Sequence, residues 1–160
     1  LMQTDIKRRV FLKGSVASGA VAAAVGAGLL APQMVLAEWN KAAFESKSVE
    51  DVAKNLLGTE GAAEESADIN IKAPDIAENG AVVPVTIDVN IDGVETIALI
   101  AKENPSPLAA AFVMGEGGVP FARTNIKMGK TSDVIAMVSA GGKTYMAKKE
   151  VKVTIGGCGG

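Results

Sequence analysis

Val85-Thr86-Ile87-Asp88-Val89-Asn90-Ile91 alternates apolar and polar side chains without a break. Successive side chains of an extended chain point to opposite faces, so a period of two marks a strand with one face buried and one wet. Asp92-Gly93 follows. Both residue types tolerate positive φ, and such a pair between two strand-like runs signals a tight hairpin. It predicts that Val94 to Ala101 returns as the neighbouring strand. Working outward, Ile69 and Ile71 suggest a short strand that stops before Pro74. Asn104-Pro105-Ser106-Pro107 reads as a turn, Leu108 to Met114 as a buried strand, Gly115 to Pro120 as a loop and Phe121 to Ile126 as a short strand. Thr131 to Ser139 and Lys143 to Ile155 flank Gly141-Gly142, a second hairpin signal. Seven strands at short spacing, with turns and no helix between them, predict a mainly β fold: an antiparallel β-sandwich of immunoglobulin-like type. A parallel α/β sheet would need helices between the strands.

A helical segment precedes the strands. Ser48 can cap the first turn of a helix, and Glu50 and Asp51 suit the positive end of its dipole. Val49, Val52, Ala53 and Leu56 recur on one face, and Gly58 is placed to stop the helix. Trp39 and Phe44 fit either an earlier helical turn or, the favoured reading, anchors that pack this segment onto the body.

The chain has 160 residues, one cysteine and no histidine. No Ser-His-Asp or Cys-His arrangement can be assembled from it. A zinc site with His ligands, a Cys-rich zinc or iron–sulfur site, and haem ligation by His are excluded likewise. A single cysteine leaves no internal disulfide. The remaining chemistry falls to carboxylates, lysines, hydroxyls, the backbone or Cys158; no cofactor ligands are obvious, and no metal, cofactor or catalytic site of its own is expected. The formal charge of −2 is unevenly spread. Residues 1–37 carry Lys7, Arg8, Arg9 and Lys13 against Asp5, and the remainder is acidic. An acidic body argues against nucleic acid as a partner, because the expected footprint there is a basic face.

Residues 1–37 have the layout of an export signal. Lys7-Arg8-Arg9-Val10-Phe11-Leu12-Lys13 is a charged opening, and residues 14–37 carry no charge and are mostly Ala, Gly, Val and Leu. Val35-Leu36-Ala37 suits cleavage before Glu38. A membrane anchor is the bland alternative, but the stretch is Ala/Gly-rich and Pro32 interrupts its end. Arg8, Arg9, Phe11, Leu12 and Lys13 match the twin-arginine pattern R-R-x-F-L-K, whose cargo crosses the inner membrane already folded. A periplasmic location follows, with no stable membrane anchor after cleavage. Since no cofactor ligands explain folded export, export together with a partner that lacks its own signal is the expectation. The organisation is then signal peptide 1–37, helical segment 38–60, sandwich 61–155 and a terminal arm 156–160.

That arm is Gly156-Gly157-Cys158-Gly159-Gly160. Glycine has the widest backbone freedom, so Gly156, Gly157, Gly159 and Gly160 cannot form a core element. They make a thin, flexible arm with a thiol near its tip and no neighbouring side chain to obstruct a narrow channel. No His or Lys beside Cys158 activates it, and an ordinary thiol with a pKa of about 8.5 is only slightly ionised at neutral pH. Such a thiol suits a carrier whose reactivity is supplied by the enzyme it enters, whereas a self-sufficient nucleophile needs a built-in base. Besides a terminal tag with an incidental cysteine, two alternatives stay open on the residues alone. One is an exported structural or interaction module whose Cys158 forms an intermolecular disulfide. The other, a Gly-Gly thiocarboxylate, fits the spelling but not the export signal.

The GGCGG ending resembles that of SoxY, the sulfur-carrier subunit of the periplasmic Sox system for thiosulfate oxidation. The twin-arginine signal, Trp39-Asn40-Lys41-Ala42-Ala43-Phe44, and Glu78-Asn79-Gly80-Ala81-Val82-Val83-Pro84-Val85 are similar to that family too. The resemblance implies an immunoglobulin-like sandwich paired as a heterodimer with SoxZ, which has no export signal. It also implies that Cys158 is the covalent attachment site for sulfur intermediates, as S-thiosulfonate or persulfide. It implies transient partners as well: SoxAX to conjugate thiosulfate, SoxB to release sulfate, and SoxCD, where present, to oxidise the remaining sulfur.

Overall fold

The computed structural model describes residues 40–59 and 62–154. Two helices come first, α1 (Lys41–Phe44) and α2 (Val49–Leu57). Nine strands follow: β1 (Glu64–Glu65), β2 (Ile69–Lys72), β3 (Ile76–Ala77), β4 (Val83–Val89), β5 (Val94–Ala101), β6 (Leu108–Val113), β7 (Phe121–Ile126), β8 (Ser132–Ala140) and β9 (Lys143–Val153). The seven strands expected from periodicity are all present. β1 and β3, two residues each, carry too little pattern to be read in advance.

One sheet runs β1-β9-β8-β5-β6, with β3 also on β9, and the other runs β2-β4-β7. The seven longer strands pair antiparallel, while β1 and β3 run parallel to β9. Alternate residues of both sheets meet in one core: Val83, Val85, Ile87 and Val89 from β4 face Ile97, Leu99, Val134, Val138 and Val151 from the larger sheet. The architecture is a mainly β, immunoglobulin-like sandwich of two open sheets.

The hairpin expected at Asp92-Gly93 is not formed. β4 pairs with β2 and β7, whereas β5 pairs with β6 and β8, so this turn carries the chain from one sheet to the other. Gly93 does take the left-handed φ of 69° that its type allows. Period-two alternation is the same whether the next strand lies beside or opposite, and here both strands turn their apolar sides toward each other across the core. Gly141-Gly142 is a true two-residue hairpin, with φ of 56° and 76° and Ala140 opposite Lys143. The buried strand expected at Leu108 to Met114 is instead an edge strand, β6. Leu108 is buried, Ala109 to Phe112 are half-buried and Val113 is 80% exposed.

The helical segment covers the outer face of the larger sheet. The Ser48 side chain accepts a hydrogen bond from the Asp51 N–H at 3.0 Å, and Gly58 closes α2 in the left-handed conformation, as its sequence predicts. Val52 and Ala53 are buried against Ala98, Ile100, Ile135 and Met137, with Phe44, Val49 and Leu56 packed around them. Phe44 ends the helical turn α1 and packs on this cluster, while Trp39 lies outside the described residues.

Candidate functional site

Sequence reasoning places every chemical role at or near Cys158. Cys158, its four flanking glycines and the motif at Arg8, Arg9, Phe11, Leu12 and Lys13 lie outside the described residues. The structure does give the platform from which residues 155–160 depart, the end of β9.

Inner-face alternation brings Val151 to full burial and Val153 onto the same core, while Lys152 and Thr154 stay exposed. β8 holds one edge of β9 along nine paired positions, from Ser132↔Val151 to Ala140↔Lys143. The other edge is strapped by the chain just after β2. The Lys152 N–H donates to the Asp75 carbonyl at 3.0 Å, and the Thr154 N–H donates to the Ala77 carbonyl at 3.1 Å. The Val153 N–H donates to the Thr131 hydroxyl at 3.0 Å. Lys149 reaches the Ala73 carbonyl at 2.7 Å and the Asp75 carboxylate at 3.1 Å. Three consecutive backbone donors are therefore satisfied up to Thr154, and the strand stays fixed to its last described residue.

The loops around this end are tied to one another. Asn104 donates to the Lys127 carbonyl at 2.7 Å and accepts from the Gly129 N–H at 3.1 Å, joining the β5–β6 turn to the β7–β8 turn. Ser132, itself buried, accepts from the Glu103 N–H at 3.0 Å. The Met128 N–H donates to the Gly80 carbonyl at 2.7 Å, and the Met128 side chain is fully buried. Thr131, Asn104 and Asp75 were not singled out from sequence. Turn composition announces the loops that hold them, but nothing in one sequence shows which loops meet.

Among the described residues no group of three His, Cys, Asp or Glu side chains is placed to hold a metal ion. A cleft of about 640 Å³ lies between α2 and the outer sheet face, floored by Ile135, Met137 and Met146 and edged by Lys102, Asp133 and Lys148.

Comparison with known proteins gives this platform a family. The family described as sulfur oxidation protein SoxY matches residues 53–158. The chain belongs to the SoxY family. The match runs from within α2 through the sandwich to Cys158. The structure of the sulfur carrier protein SoxY from Chlorobium limicola f thiosulfatophilum is 41% identical, covering 65% of this chain and 93% of that one, with a TM-score of 0.57. A superoxide reductase (neelaredoxin) from Ignicoccus hospitalis is 18% identical over 53% of this chain and 79% of its own, at a TM-score of 0.46. No curated protein matches the chain.

Proposed function

We propose that this SoxY-family chain is a periplasmic carrier that holds sulfur intermediates covalently on Cys158 and presents them to separate enzymes. The single observation that supports it most is that the family match extends through the sandwich as far as Cys158. The strapped end of β9 fits the same reading, because a carrier needs a fixed body and a reacting atom that leaves it.

The steps need no catalytic group on the body. The Cys158 thiol and the outer sulfur of thiosulfate form a disulfide-type bond, giving S-thiosulfonate, one proton and two electrons. A haem enzyme of the SoxAX type takes those electrons. Hydrolysis by a SoxB-type enzyme cleaves the bond between the outer sulfur and the sulfonate. Water supplies the fourth oxygen of sulfate, two protons are released and a persulfide remains on Cys158. A SoxCD-type dehydrogenase, where present, oxidises that sulfur. Gly156, Gly157, Gly159 and Gly160 add no side chain to obstruct entry into a deep site. Carrying the intermediate on a tether raises its concentration at each enzyme that binds the body. The twin-arginine signal exports the folded chain, and a SoxZ-type partner without a signal travels with it as a heterodimer.

Intact-mass spectrometry of the chain purified from thiosulfate-fed cells tests this. Thiosulfonate and persulfide adducts confined to Cys158 are expected, and none should form on Cys158→Ser. A chain whose only modification is a disulfide to another protein points instead to an interaction module.

A further inference from the structure

A strand at the end of a sheet presents backbone N–H and C=O groups that another chain can pair with, and folds guard such edges with short strands, charges, prolines or bulges. Beside β9 the edge of the larger sheet is split between β1 and β3, two residues each. The smaller sheet ends in β2, which carries Lys72, and in β7, which carries Arg123. The remaining edge, β6, is different. From Leu108 to Val113 it has no charge and no proline, and Met114 continues the apolar run. A bulge guards only its start: Leu108 lies opposite Ile100 and Ala110 opposite Leu99, so Ala109 has no partner. From Ala110 to Val113 the ladder with β5 is regular.

Backbone groups along a strand point alternately to its two sides. The Met114 N–H donates to the Glu95 carbonyl of β5 at 2.8 Å. Phe112 and Ala110 share that direction, so Ala111 and Val113 turn their backbone groups to the open edge. A two-fold axis at an edge sets the strand against its own copy. A charge there meets a like charge across the axis, which is unfavourable. β2 and β7 carry that penalty and β6 does not, so β6 is the edge suited to a second copy of this chain. The register follows from the backbone. Ala111 and Val113 face one another across the axis only when it passes at Phe112, and an axis at Ala111 would draw in the bulged Ala109. With the axis at Phe112, Ala111 lies opposite the partner's Val113, and each such pair exchanges two backbone hydrogen bonds. Phe112 lies opposite the partner's Phe112, an aromatic pair of the kind that stabilises sheets. Phe112 and Met114 are half-buried against the core, and Val113 is the exposed residue that the pairing covers. β8 and β5 separate β6 from β9, so this contact leaves the end of β9 open.

We propose that β6 is the interface with a second copy of this chain, the two larger sheets joining edge to edge across a two-fold axis at Phe112.

The test uses the full exported chain carrying Cys158→Ser, which removes the native thiol, together with whatever subunit co-purifies. Light scattering should give two copies of this chain per particle. Ala111→Cys and Val113→Cys chains, differently tagged and co-expressed, should link tag to tag under mild oxidation, because opposed residues of such a pair have Cα atoms about 5.5 Å apart, within disulfide range. Either variant expressed alone should not link, because its cysteines are then diagonal neighbours about 7–8 Å apart, too far to bridge. Val113→Pro removes an N–H that β5 does not use, a change that an edge strand tolerates. It should weaken the association about ten-fold or more with the far-UV circular dichroism unchanged, since the symmetry doubles the loss of one hydrogen bond. One copy of this chain per particle overturns the proposal, and particles in which it pairs only with a different subunit assign the edge to that subunit instead. Two copies that fail to link in the co-expressed pair, or that associate as tightly with Val113→Pro, overturn it as well, because the contact then lies elsewhere.

Discussion

The two ends of the sandwich are built on different principles. At the far end the chain reverses by backbone conformation. Gly93, Gly117, Gly141 and Gly142, four of the five described glycines with positive φ, lie there. At the arm end no described residue has positive φ, and the loops are joined by side chains that bridge to backbone groups: Asn104 to residues 127 and 129, Thr131 to Val153, and Ser132 to Glu103. A glycine turn reverses a strand within two residues through backbone conformation alone. A cross-loop hydrogen bond fixes one segment relative to another. The end where β9 finishes is joined by side chains, whereas the far end is joined by backbone bonds such as Asn90 N–H to the Asp68 carbonyl at 2.8 Å and Val89 N–H to the Pro120 carbonyl at 3.0 Å.

The largest effect separates the arm from both ends. Cys158→Ser should abolish adduct formation and thiosulfate-dependent respiration while leaving the melting temperature unchanged. A lowered melting temperature would show that residues beyond Thr154 hold the fold together.

Next in size is the arm end's buried anchor. Met128→Ala should cost about 2–5 kcal/mol in urea unfolding, as for other large apolar side chains removed from a packed site. A cost below about 1 kcal/mol would mean that the loops at this end are held without their shared core contact.

Asn104→Ala removes both bridging bonds and should cost about 1–2 kcal/mol. Hydrogen exchange at Gly129 should speed up in that variant, and exchange at Val138 in mid-β8 should not. If both amides speed up equally, Asn104 stabilises the whole fold rather than this end.

The last comparison sets a turn glycine at the far end against one at the arm end. Gly142→Ala places a Cβ at φ 76° and should cost about 1–2 kcal/mol. Gly129→Ala should cost under about 0.5 kcal/mol, because nothing approaches its Cβ position closer than 3.9 Å and its φ is ordinary. Equal costs would erase the distinction between the two ends.

Much of the fold was legible in sequence, because alternation is a local property. β5 and β7 begin and end where their runs predicted, and Ser48 and Gly58 cap α2 as their side-chain chemistry requires. What failed was non-local. Asp92-Gly93 and Gly141-Gly142 look alike as turns, yet one joins two sheets and the other two neighbouring strands. The difference lies in which apolar faces meet, which no two-residue motif encodes. Leu108 to Val113 reads as buried because seven consecutive apolar residues, counting Met114, give no polar face, although the strand sits at an edge with Val113 in solvent. Of the candidate site, the thiol and its glycines were plain in sequence. The strap at Asp75 and Ala77 was not, because it is made by backbone atoms of a two-residue strand whose side chains carry no signature.

The long β8–β9 ladder bears on mechanical load. A pull applied at Thr154, the last described residue, and directed along β9 is carried by that ladder. Force in that direction has to shear the antiparallel ladder along its length, with Ser132↔Val151 through Ala140↔Lys143 sharing the strain. A pull across the strands would peel the same ladder one bond at a time from its end. Along the axis of β9 the body is therefore at its toughest.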